Sequence, residues 1–304
     1  MNILITGGAG FIGSHLVEKL IEQKCSVTVV DNLHTGLKEN ISSQVPLIEM
    51  DIRDESLLAV FEEGNFDAVV HLAGQTMVNV SVDNPYLDES INIHGTVNVL
   101  EACRKTKVKR IIFASTAAAY GDIEDLPIVE DMPKNPTSFY GLSKLTVESY
   151  LALYHKLYGL EYVALRFANV YGERQGDGGE GGVISIFTKR VAKKQGIKIF
   201  GDGEQTRDFI YVGDIASGIY SALIADKVND IYNLSTNTEV SVNKMVNLLK
   251  EISKQELQVA YELPRAGDIY RSVLSNEKAV HSLNWQPKTE LKDGLTKTYQ
   301  YFAK

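Results

Sequence analysis

Cysteine is nearly missing from this 304-residue chain, which has only Cys25 and Cys103. Neither stands at a zinc-site spacing, so both read as reduced packing residues, and the expected compartment is the cytoplasm. Positive charge is also short, with 31 Lys and Arg against 39 Asp and Glu. The acids are spread along the chain rather than gathered in a tail, so nothing favours nucleic acid as a partner, and any bound phosphate must be met locally. No apolar run approaches the roughly 18 residues of a membrane span. The chain starts directly in a strand pattern, without a basic segment and cleavage site, so the expectation is a protein neither inserted in a membrane nor exported. The six histidines are dispersed, and no group of histidines or carboxylates has ligand spacing, which predicts no metal. Repeats and low-complexity tracts are likewise missing.

What is present is a rhythm. Short β-branched runs at residues 3–6, 26–30, 47–50, 68–71, 110–114 and 162–166 alternate with stretches at 11–23, 57–63, 86–105 and 140–158 whose apolar residues recur at three- and four-residue steps. That alternation predicts an α/β fold, a doubly wound parallel sheet of the Rossmann type covered on both faces. After Asn169 the rhythm breaks into a Gly-rich stretch, residues 172–182, and then into shorter elements around 183–194, 209–212, 215–225 and 242–252. Residues 1–170 therefore read as a dinucleotide-binding domain and 171–304 as a smaller mixed α/β substrate domain, with some interleaving of segments. Residues 291–302 read as a closing amphipathic helix.

Glycines at 7, 10 and 13 follow the first strand and open the first helix in Thr6-Gly7-Gly8-Ala9-Gly10-Phe11-Ile12-Gly13. Gly7 permits the tight turn, Gly10 lets backbone approach a pyrophosphate at the positive helix end, and Gly13 lets helix and sheet pack closely. Phe11 and Ile12 belong to the same candidate contact. Asp31, followed by Asn32, ends the second strand about twenty residues on, where a carboxylate accepts hydrogen bonds from both ribose hydroxyls of NAD and repels the 2′-phosphate of NADP. NAD is thus the expected cofactor. By position, Asp51 and Ile52 fall beside the adenine, and Leu72, Ala73 and Gly74 beside the pyrophosphate or nicotinamide ribose.

Tyr140 and Lys144 stand four residues apart on one helix face. About one such pair is expected by chance among 15 tyrosines, and this is the only one in the chain. Its position carries the inference. The fifth strand ends in Phe113-Ala114-Ser115-Thr116, and the C-terminal strand ends of a doubly wound sheet face the cofactor crevice, so a hydroxyl is brought toward the phenol. A free tyrosine near pKa 10 is only about 0.1% ionised at pH 7, and a useful phenolate fraction needs a fall of roughly three units, about 4 kcal/mol. One ammonium together with a positive nicotinamide ring in a partly dry crevice is of the right size for that.

Taken together, these segments, with 166–175, 180–187, 201–212 and 265–272, resemble the extended short-chain dehydrogenase/reductase family, in particular its UDP-glucose 4-epimerase group, over essentially the whole chain. The resemblance implies that Tyr140 is the catalytic acid and base, that Lys144 binds the nicotinamide ribose and lowers the tyrosine pKa, and that Thr116 hydrogen-bonds the reacting hydroxyl. It implies oxidation of the sugar at C4, rotation of the ketone, and return of hydride to the opposite face, with NAD regenerated. It also implies a homodimer through the helices near 86–105 and 140–158.

For the substrate, a UDP-linked sugar, the resemblance points to Arg207, Arg265 and Arg271 with Asn169 at the diphosphate. It places Val183, Phe187, Ile199 and Phe200 around the uracil; plain core packing is the alternative for those four. Ser272 stands where the epimerase group admits or refuses an N-acetyl group by residue size, and a serine leaves room. The run Gly74-Gln75-Thr76-Met77, whose Thr76 and Met77 the resemblance places near the sugar, departs from the smaller residues of many relatives; Met77 either reshapes the pocket or fills space. Two other readings compete. A nucleotide-sugar dehydratase shares the first oxidation, but the 4,6-dehydratases place Asp-Glu after the catalytic threonine, and here Thr116 is followed by Ala117 and Ala118. A catalytically silent NAD-sensing protein would have no need of Thr116, Tyr140 and Lys144 together.

Overall fold

Strand character comes first from β-branched residues that are buried on both faces. The computed structural model describes residues 1–176, 182–264 and 269–304. Its first half runs β1 (Asn2–Thr6), α1 (Phe11–Glu22), β2 (Ser26–Asp31), β3 (Leu47–Glu49), α2 (Leu57–Gly64), β4 (Ala68–His71), α3 (Val78–Asp83), α4 (Pro85–Glu89), α5 (Gly95–Thr106), β5 (Arg110–Thr116), α6 (Phe139–Tyr158) and β6 (Glu161–Phe167). The second half runs β7 (Asn169–Tyr171), α7 (Val183–Ala192), β8 (Ile197–Phe200), β9 (Thr206–Arg207), β10 (Phe209–Tyr211), α8 (Val212–Ile224), β11 (Asp230–Leu234), β12 (Val240–Ser241), α9 (Val242–Ser253), β13 (Val259–Glu262), α10 (Glu277–Leu283) and α11 (Leu291–Phe302).

Seven strands form one sheet in the order β11-β6-β5-β4-β1-β2-β3, every neighbouring pair parallel. Period-two alternation explains its two covered faces. Ile3 and Ile5 of β1 join the core beneath α1 and α8, while Leu4 joins the core beneath α2, α5 and α6. The strand order reverses beside β1, with β2 on one side and β4 on the other, so the crevice at the strand C-termini opens there.

The second half does not stay apart. α8 packs beside α1, and β11 pairs with β6, Leu234 opposite Phe167, as the sheet's edge strand. What remains forms a smaller unit. β10 pairs with β7 and β13 with β8 in parallel, β12 with β9 antiparallel, around a core that includes Ile184, Phe187, Met245, Leu249 and Leu295.

The single helix expected over 86–105 is interrupted. Between α4 and α5, residues Ser90–His94 take a π turn. There Thr96 Oγ1 donates to the Asn92 carbonyl at 2.6 Å, a side chain competing for a group of the helical ladder.

Candidate active site

At the end of β1 the chain turns through Gly7, whose φ of +73° is a left-handed conformation; an added Cβ would lie 2.6 Å from the Ala73 nitrogen. At Gly13 a Cβ would lie 2.2 Å from the Gly7 carbonyl, so helix and turn touch backbone to backbone. Gly10 differs, because a Cβ there would meet only the Gly7 oxygen at 3.4 Å, and no side chain caps α1. The open space and the first-turn amides of Phe11 and Ile12, which no described residue claims, fit a pyrophosphate. Asp31 faces this turn. Its two oxygens accept from the Ala9 amide at 2.9 Å and the Leu33 amide at 2.8 Å, and burial raises its pKa above the ordinary carboxylate value. The residues present therefore fit a dinucleotide.

Asn32 and Asp51 meet through a 2.9 Å hydrogen bond. Sequence reasoning missed Arg53, which pairs with Asp51 at 2.8 Å and, chiefly through that hydrogen bond, holds its carboxyl well below the usual range. Ile52 is a core residue beneath Gly95, so only its backbone remains for an adenine contact. The amides of Leu72 and Ala73 both donate to the Thr6 carbonyl at 3.0 Å.

The catalytic candidates gather where β5 ends and α6 begins. Thr116 is the last residue of β5, and its hydroxyl accepts from the Ala118 amide at 3.2 Å. The side chain of Ser138 caps α6 through the Gly141 amide, placing Tyr140 in the first turn and Lys144 one turn on. Lys144 is 3% exposed, donates to the Ala114 carbonyl at 3.0 Å and lies 4.8 Å from the Phe113 ring centre. Burial pushes its pKa down to about 8, with Asp88 opposing. Ser115 bonds Glu148 at 2.6 Å, and Glu148 pairs with the wholly buried Arg166, also at 2.6 Å.

His71, at the end of β4, connects the parts. Thr96 Oγ1 already donates to the Asn92 carbonyl, so toward His71 Nε2, 2.9 Å away, it accepts. The imidazole proton is therefore on Nε2, and Nδ1 accepts from Thr6 Oγ1 at 2.6 Å. Burial, with Lys144 adding, pushes the pKa down to about 3, so this histidine is neutral and structural.

In the smaller unit, Asn169, Val183, Phe187, Ile199, Phe200 and Arg207 line one cavity of about 440 Å³. Phe187 and Ile199 are core residues that also form its wall. Arg271 pairs with Glu239 at 2.6 Å, which also accepts from Thr206 Oγ1 at 2.5 Å. Ser272, the residue after Arg271, is half-buried, and the half-buried Thr76 and Met77 lie between β4 and α3. Arg265 lies outside the described residues. Among the described residues no group of three or more His, Cys, Asp or Glu could hold a metal ion, and no helix is long and apolar enough to cross a membrane.

The sequence pattern of the NAD dependent epimerase/dehydratase family matches residues 3–235. The chain is 43% identical to the UDP-glucose 4-epimerase of Thermotoga maritima, whose crystal structure with UDP-glucose superposes at a TM-score of 0.96 over 99% of this chain and 98% of that one. It is 36% identical to the UDP-glucose 4-epimerase of Mycolicibacterium smegmatis, over 99% of this chain and 98% of the relative. A UDP-N-acetylglucosamine 4-epimerase of Methanobrevibacter ruminantium is 32% identical, with a TM-score of 0.94 over 99% of this chain and 97% of that one.

Proposed function

The chain belongs to the NAD dependent epimerase/dehydratase family, and we propose that within it the protein is an NAD-dependent 4-epimerase of UDP-hexoses, UDP-N-acetylhexosamines included. The observation that supports this reading is Lys144, one helical turn after Tyr140, reaching the Ala114 carbonyl near the Thr116 end of β5, beside a glycine turn that fits a dinucleotide. Bound in that cradle, the nicotinamide supplies the acceptor and donor of hydride. The chain's residues do the rest. Tyr140 takes the proton of the C4 hydroxyl and later returns it, Lys144 favours the phenolate by its charge, and Thr116 holds the sugar oxygen. Arg207, Arg271 and Asn169 hold the diphosphate, for which Arg271 must leave Glu239. Arg265 is assigned to the same task.

Ala117 and Ala118 follow Thr116 and can neither give nor take a proton, so elimination of the kind a 4,6-dehydratase performs lacks its groups. The division of labour follows the fold, with the sheet carrying the cofactor and the smaller unit the nucleotide. A homodimer suits the outer faces of α4 and α6, where Tyr86 (81% exposed), Leu142, Leu153 and Leu157 leave apolar surface uncovered. The product would be a glycosyl donor for polysaccharide synthesis in the cytoplasm.

The test is incubation of purified protein with UDP-glucose, UDP-N-acetylglucosamine and UDP-glucuronate, with the sugars resolved by NMR. Galacto-configured product without consumption of added NAD is expected from the first two. Ser272→Tyr should lower kcat/KM for the acetamido sugar on the order of 30-fold, corresponding to about 2 kcal/mol of overpacking, and spare UDP-glucose. A 4-keto, 6-deoxy or unsaturated product overturns the epimerase reading in favour of the dehydratase.

A further inference from the structure

Across Asn92 and Gly74 from the catalytic lysine lies a buried carboxylate that the reaction above leaves without a task. Asp88 on α4 is 1% exposed. Its Oδ1 accepts from Gln75 Nε2 at 2.8 Å and from Asn92 Nδ2 at 3.1 Å. Asn92, in the π turn, grips the loop after β4 at both backbone atoms of Gln75: its Oδ1 accepts from the amide at 2.8 Å and its Nδ2 donates to the carbonyl at 2.9 Å. The same Nδ2 reaches Ser143 Oγ at 3.2 Å, and that hydroxyl donates to the Tyr140 carbonyl at 3.0 Å. Gly74 is wedged between the two sides. A Cβ there would lie 2.9 Å from Asn92 Oδ1 and 3.3 Å from Lys144 Nζ.

Hydrogen bonding alone does not call for an acid here, because an asparagine oxygen at position 88 could accept from the same two donors. A reason for the charge is Lys144. Tyr140 and Glu148 lie one turn to either side of it on α6, Glu148 is paired with Arg166 of β6, and His71 of β4 lies within range of its charge. Glu148 and Arg166 neutralise one another, and His71 is uncharged. Of these groups, with α4 included, Asp88 supplies the unmatched negative charge, in a dry region where screening is weak.

We propose that Asp88 is a positioning residue of the catalytic centre. Its carboxylate is the fixed counter-charge of Lys144 and, through Gln75 and Asn92, ties residues 74–77 to the helix that carries Tyr140. The inference rests on the reading of Tyr140 and Lys144 as the proton-handling pair. Removing a negative charge from beside a coupled phenol and ammonium makes both lose their protons more readily, so both steps of the pair move to lower pH.

The experiment compares the wild-type holoenzyme with Asp88→Asn, labelled with [13Cζ]tyrosine, following the Tyr140 resonance against pH; the resonance is assigned with Tyr140→Phe. The titration is expected to move down by about half a pH unit, a threefold change in the phenolate-to-phenol ratio at fixed pH, and the bell of kcat against pH should move with it. Asp88→Glu should restore the wild-type profile. If the asparagine variant does not fold, Asp88→Ser carries the same test with the charge removed. An unmoved titration with a uniform loss of activity at every pH overturns the proposal. Failure of the wild type to turn over any UDP-sugar would instead count against the epimerase reading, and the NMR titration would still decide the role of Asp88.

Discussion

Replacing Tyr140 by phenylalanine is expected to lower kcat about 1,000-fold, within the range by which positioned acids and bases speed proton transfer. In the proposed reaction the phenol takes the C4 proton. Thr116, the other candidate hydroxyl, has among the described residues no charged hydrogen-bond partner, whereas Lys144 lies one helical turn from Tyr140. Phenylalanine keeps the ring and removes only the oxygen, so the fold and the retained cofactor should survive. The measurement is steady-state epimerisation by coupled assay, alongside the cofactor released on denaturation and the circular dichroism of the variant. A loss below tenfold with cofactor retained would mean that another group takes the proton.

Glu148→Ala is expected to cost about 3–5 kcal/mol of stability, the typical consequence of leaving a buried cation unpaired. Arg166 is 0% exposed. Two of its hydrogen bonds go to Glu148, at 2.9 and 2.6 Å, and its guanidinium stacks 4.5 Å from the Tyr120 ring centre. The fall in Tm should be on the order of 10 °C by differential scanning calorimetry. Replacing both members, as Glu148→Leu with Arg166→Met, removes the stranded charge and should recover most of the loss. Strictly additive losses in that double-mutant cycle would show that the pair is not coupled. Because Ser115 also bonds Glu148, the single variant should loosen the end of β5 as well, next to Thr116.

The parts of this molecule that sequence alone revealed are those whose causes are local. β1, β2, β4, β5 and β6 are runs of β-branched residues, α11 has its full amphipathic stripe, and the glycine turn with Asp31 and the Tyr140–Lys144 pair are short patterns in order along the chain. β11 escaped because its pattern is masked by Asn233. Among the described residues that buried side-chain amide is satisfied by the Ile128 and Ser275 carbonyls and the Tyr120 hydroxyl, all more than forty residues away. Asp88, Arg53 and the Glu148–Arg166 pair were missed for a similar reason: a polar residue looks solvated until the fold shows which groups surround it. The π turn likewise depends on a hydroxyl competing for a backbone carbonyl, which helical periodicity does not register.

The place of β11 at the sheet's edge bears on how the protein is made. The N-terminal half can begin folding as soon as it emerges, but β6 then presents unpaired amides and carbonyls along one side. Its neighbour is delivered roughly 70 residues later, on the order of 3 to 15 s at ordinary rates of synthesis. During that interval the nascent sheet is open to pairing with another chain. A fragment ending at residue 170 would keep that open edge permanently, so expression of residues 1–170 alone should yield aggregate unless β11 is supplied.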